Sequence, residues 1–100
     1  MKSLKKSDAV KELFQNQAVI HGDIWMYFTE TTKDVIKYCL EKKLHIKGLE
    51  AFKLSGSGIQ PFQNNSIWFN INNGNWDEAL SFVSKSENEE FLYEIWYDGY

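Results

Sequence analysis

Residues Phe91 to Tyr97, FLYEIWY, alternate with a period of two. Read as a strand, Phe91, Tyr93, Ile95 and Tyr97 point one way, and Leu92, Glu94, Trp96 and Asp98 the other. The first set suits a core. The second places an indole between two carboxylates, which suits a surface. A strand of this kind needs a layer of structure on which to bury its aromatic side.

Helical periods elsewhere supply that layer. Ser7 caps a first helix, expected over Ser7 to Gln17, with Ala9, Val10, Leu13, Phe14 and Gln17 on one face. Thr31 or Thr32 caps a second, whose stripe is Val35, Ile36, Cys39, Leu40 and Leu44. Gly48 marks its exit. LEAFKL (Leu49 to Leu54) then reads as a strand, SGSG as a turn, IQPF as extended chain, QNNS as another turn and SIWFNI (Ser66 to Ile71) as a strand. Asn75 opens a third helix with Glu78 at the capping-box spacing; Trp76, Ala79, Leu80 and Val83 share its inner side. Residues Ala18 to Thr29 stay open: Gly22-Asp23 is a turn, and IWMYF fits either a strand or a helix start. The expected architecture is α+β, a small antiparallel sheet packed with about three helices, in one domain spanning residues 1–100.

Hydrophobic residues make up 43% of the chain and aromatics 16%, too many for disorder. The lone cysteine, Cys39, cannot form an internal disulfide, which favours a reducing compartment. No apolar run is long enough for a signal peptide or a membrane span, so a cytoplasmic location is expected. Charge is divided unevenly. Residues 1–53 hold ten Lys against seven acids, whereas residues 54–100 hold one Lys against seven acids. There is no Arg, the usual bidentate ligand of phosphate and guanine, which argues against direct nucleic-acid binding. A Lys-, Asn- and Ile-rich codon bias explains its absence equally well.

Catalysis needs titratable groups that converge. His21 with Asp23 could form half of an acid–base pair, but a polar turn explains them. His45 follows a Lys-rich helix end, where a positive charge is favourable. Cys39 falls on an apolar stripe and reads as a buried, inert thiol. No Cys/His spacing matches a zinc site, and SGSG lacks the Lys-Ser/Thr of a phosphate loop. Neither enzymatic activity, a metal nor a cofactor is expected.

The acidic, aromatic end is the remaining feature. Asp77 and Glu78 open the third helix, Glu87, Glu89 and Glu90 precede the last strand, and Glu94, Trp96 and Asp98 share its outer side. Helix-start electrostatics or a solvated loop would explain several of these singly. Taken together, aromatic area and carboxylates describe a docking face for a positively charged protein. Nucleases are such proteins, because their substrate sites bind phosphate.

Several stretches carry a resemblance to a known family: GDIW (Gly22 to Trp25), IKGLEAFKL (Ile46 to Leu54), GIQPF followed by SIWF (Gly58 to Phe69), NWDEALSFV (Asn75 to Val83) and FLYEIWY. With these the chain resembles small single-domain immunity proteins of bacterial polymorphic-toxin and contact-dependent growth-inhibition systems. The resemblance implies a cytoplasmic antitoxin that binds one cognate toxin domain, a basic nuclease for instance, and occludes its active or substrate-binding site. It does not locate the interface. An acidic adaptor module that mimics nucleic acid, from a phage or plasmid, is the alternative. A small enzyme using His21 and Asp23 is a third.

Overall fold

The computed structural model describes residues 6–69, 74–85 and 90–98. It contains the helices α1 (Lys6–Leu13), α2 (Thr29–Lys42) and α3 (Trp76–Ser84). The strands are β1 (Val19–His21), β2 (Ile24–Phe28), β3 (His45–Ser55), β4 (Gly58–Trp68) and β5 (Leu92–Asp98). All five strands join one antiparallel sheet in the order β1-β2-β5-β3-β4. The fold is α+β, as the mixed periods of the sequence predict. The last strand in sequence lies at the centre of the sheet, between β2 and β3. The β2–α2–β3 crossover therefore leaves a gap one strand wide for β5.

Two hairpins frame the sheet. Gly22-Asp23 joins β1 to β2, and Gly56-Ser57 joins β3 to β4. Gly22 and Gly56 each take the first turn position with φ of +61° and +60°, where an L side chain is disfavoured. The segment left open in the sequence, Ala18 to Thr29, is thus a hairpin whose second strand runs directly into α2.

Helix boundaries differ from the sequence expectation for identifiable reasons. A 3-10 turn, Gln15–Gln17, follows α1 where the helix was expected to continue. α2 starts at Thr29, and the Thr32 hydroxyl, instead of capping, donates to the Tyr27 carbonyl at 3.0 Å. Lys43, not Gly48, ends α2. Its φ is 61°, its N–H donates to the Leu40 carbonyl, and the Leu44 N–H reaches back to Cys39 at 2.8 Å. Gly48 lies inside β3, where a neighbouring indole leaves no room for a side chain. Asn75 makes no side-chain cap on α3. Its Nδ2 instead donates to the Ile46 carbonyl at 2.9 Å, while Trp76 Nε1 donates to Leu44 at 2.8 Å. Both bonds tie the start of α3 to the entry of β3.

QNNS is a bulge within β4 and not a turn. The register passes from Ala51↔Phe62 to Leu49↔Ile67. The Ser66 hydroxyl closes the bulge by accepting from the Ala51 N–H and donating to the Phe62 carbonyl, both at 2.9 Å. The expected end of this strand, at Ile71, lies outside the described residues.

The helices cover one side of the sheet. Val10, Val35, Ile36, Cys39, Ala79 and Val83 pack there on Tyr27, Ile46, Leu49, Ala51, Tyr93 and Ile95. Burial of each large aliphatic chain contributes roughly 1.5–3 kcal/mol. Leu40, expected in this stripe, is exposed. A second, smaller cluster of Met26, Phe52 and Leu92, flanked by Val19, Ile24 and Ile59, draws on strand residues alone. It lies on the opposite side of the sheet, because Phe52 and Leu92 alternate with the inward-facing Ala51 and Tyr93.

Candidate functional site

Alternation along β5 puts Leu92, Glu94, Trp96 and Asp98 on the side away from the helical core, as the sequence predicts. Leu92 is buried there and Trp96 is 45% exposed. The register then adds a partner that the sequence did not reveal. Gly48 on β3 pairs with Trp96 on one side and with Trp68 of β4 on the other. Having no side chain, Gly48 lets the two indoles meet above it, with ring centroids 5.6 Å apart and planes at 48°. Trp68 remains 54% exposed. Aromatic area of this kind, half in water, is the typical raw material of a protein interface.

The next row of the sheet is acidic. Glu50 of β3 stands opposite Glu94 of β5. Like charges directly opposite one another are unfavourable in a sheet. Burial raises the Glu94 carboxyl above its ordinary value; Glu50, by its charge and a side-chain hydrogen bond, raises it further, and Lys11 partly offsets this. Beyond the Trp row, Lys47 Nζ lies 3.4 Å from Asp98 Oδ2. Lys47 occupies the irregularity between Ile46 and Gly48 in the β3–β5 register. An exposed pair of this sort contributes at most about 1 kcal/mol.

A cleft opens beside this face. β2 and β5 pair over only two rows, Tyr27↔Tyr93 and Phe28↔Leu92. Past them the strands part, leaving a hollow of about 190 Å³. Trp25, Trp96, Glu94, Asp23 and Lys11 contribute to its walls. The Lys11 ammonium sits 5.4 Å from the centre of the Trp25 ring.

The other expected contact residues do not converge here. Asp77 and Glu78 are exposed on α3, in the helical layer, and border a separate hollow with Ile67, Phe82 and Lys85. Glu90 is exposed just before β5. Glu87 and Glu89 lie outside the described residues. Of the predicted set, the structure gathers Glu94, Trp96 and Asp98, and joins to them Glu50 and Trp68; Trp25, on the same side of β2 as Tyr27, reaches only the cleft. A sequence-level signal for Trp68 existed in the alternation of SIWF, which points Trp68 away from Ile67 and Phe69. Glu50 gave no such signal, since its role depends on cross-strand register.

The residues weighed for chemistry stay apart. His21 and Asp23 are exposed on either side of a hairpin glycine. His45 begins β3 and stacks on Trp76, with centroids 6.3 Å apart and planes at 15°. Cys39 is fully buried, and burial pushes its thiol up to about 12. Among the described residues, no group of three or more His, Cys, Asp or Glu side chains could hold a metal ion, and no helix is long and apolar enough to cross a membrane.

Comparison of the chain with protein-family models, curated proteins and solved structures returned no significant match.

Proposed function

We propose that this chain is an immunity protein, which binds a cognate bacterial toxin domain and neutralises it by covering its active or substrate-binding site, without catalysis of its own. The observation that carries this reading is the exposed Trp68–Trp96 pair beside the Glu50–Glu94 row. Indoles supply contact area with little entropy to lose, and the carboxylates select a basic partner. A nuclease is basic where it binds phosphate, so the same charge pattern would direct the protein to the site it must block. A second copy of this chain is a poor occupant of that face, because the acidic rows would meet. The resemblance of the sequence to immunity proteins supports the same reading, which places the protein in the cytoplasm as part of the proposal.

The test pairs the protein with the toxin domain encoded beside its gene. Co-expression should protect the host, and binding should weaken as ionic strength rises. Glu94→Lys combined with Asp98→Lys should leave the fold intact and weaken both binding and protection. Unchanged affinity in that double variant would remove the face from the interface. Failure to protect, with binding retained, would favour an acidic adaptor over an antitoxin.

A further inference from the structure

The cleft between β2 and β5 has a chemistry of its own. Its lining residues include Trp25, whose ring already takes a cation, and two acids, Asp23 and Glu94, against one Lys, Lys11. Glu50 lies behind Glu94 and adds a further acid. The lining therefore holds less positive charge than negative, even with Lys11 in place. An anion entering here would meet like charge. A neutral apolar group would bury Glu94 further with nothing to compensate it. A cation would meet an indole face and carboxylates together, the combination that binds a desolvated positive charge best.

The size of the cleft narrows the choice. At about 190 Å³ it is below the roughly 300–1,000 Å³ of sites that enclose whole small-molecule ligands, and suits a single side chain. The position of Lys11 shows that a cation is tolerated against Trp25. An ammonium is nevertheless an imperfect occupant, being a compact, strongly hydrated charge. A guanidinium is flat, stacks on an indole and forks onto a carboxylate. This chain contains no Arg at all.

We propose that the cleft receives one arginine side chain from the partner protein, stacked on Trp25 and paired with Glu94, and that Lys11, which lies over Trp25, holds the position while the chain is unbound. Lys11 also acts on the Glu94 carboxyl. On binding, the Lys11 ammonium leaves the Trp25 face and returns to solvent. The inference rests on the reading of this face as a protein-docking surface, but not on the partner being a toxin.

N-acetyl-arginine amide is a suitable probe, with the isosteric, uncharged N-acetyl-citrulline amide as control. The indole N–H signal of Trp25 is followed by NMR. Trp76, whose Nε1 is held by the Leu44 carbonyl, reports that each variant is folded. The arginine probe should shift the Trp25 signal saturably, with a Kd on the order of millimolar, as one side chain allows. The citrulline probe should not. Glu94→Gln should weaken binding about tenfold, the loss expected for one charge-assisted bond. Lys11→Met should strengthen it by removing the resident competitor. No saturable shift, an equal response to citrulline, or an unchanged Kd in Glu94→Gln would each overturn the proposal. Weaker binding in Lys11→Met would make Lys11 part of the receptor wall and overturn its place-holding role. Because the probe contains no toxin, its failure leaves the co-expression result intact, and failure of protection leaves the titration intact.

Discussion

The indole of Trp68 lies directly over the Cα of Gly48, so closely that any side chain at position 48 would enter the ring. The contact ties β4 to β3 at the far end of their ladder and brings Trp68 to Trp96. Removing the constraint from either partner should therefore have different effects.

Gly48→Ala should destabilise the protein by roughly 1–3 kcal/mol, the usual cost of overfilling a packed site. The same substitution in a Trp68→Ala background should cost far less, since the obstructing ring is gone. Urea denaturation of the four proteins in the cycle measures the coupling. Additive effects would mean that Gly48 serves the backbone and not the indole.

Glu94 should trade stability for binding. Its folded carboxyl is raised, first by burial and then by Glu50. The folded protein thus holds the proton more tightly than the unfolded chain. The stability linked to Glu94 is fully present below the ordinary carboxylate value and is lost as pH rises through the raised one. Glu94→Gln should accordingly raise the Tm at neutral pH, by up to about 1 kcal/mol of stability if relief of the cross-strand repulsion dominates. The gain should shrink as pH falls toward the ordinary value. A gain of the same size at every pH would exclude this origin.

Asn75 offers a separate test of how α3 is anchored. It combines a left-handed backbone, φ 62°, with a buried amide bond to the Ile46 carbonyl. Asn75→Gly keeps the backbone accessible and loses the bond, which should cost about 1–2 kcal/mol. Asn75→Ala should cost roughly 1 kcal/mol more, because the left-handed conformation strains a Cβ. Chemical denaturation decides the order, and a less stable Gly variant would contradict it.

Cys39 should be chemically silent. Its thiol is buried in the helix–sheet core and held near 12, far from the thiolate needed for attack. A thiol reagent at neutral pH should modify it only as fast as the protein opens. Modification faster than unfolding, measured by mass spectrometry against a denaturant jump, would place the thiol nearer the surface.

Much of the fold was legible in local patterns. The outward row of Glu94, Trp96 and Asp98 followed from alternation alone, as did the inner side of α3. Errors arose where a residue's conformation answers to a distant partner. Gly48 reads as a helix exit because glycine commonly ends helices; here it makes room for Trp68, twenty positions later in the chain. Asn75 has the composition of a cap, yet its amide is drawn to the Ile46 carbonyl across the fold. Thr32 likewise gives its hydroxyl to Tyr27 instead of to the helix start.

For the candidate site the division is similar. Periodicity, charge asymmetry and the lack of Arg are properties of the chain itself, because a strand sends alternate side chains to opposite sides whatever its neighbours are. They determined an acidic, aromatic outer side on the last strand. Only the tertiary structure decided that β5 occupies the centre of the sheet, that Trp68 and Glu50 join its outer row, and that β2 parts from β5 to open a cleft at Trp25. Those features depend on strand order and register, which are set by the joint packing of both sheet faces and are not encoded in any one segment.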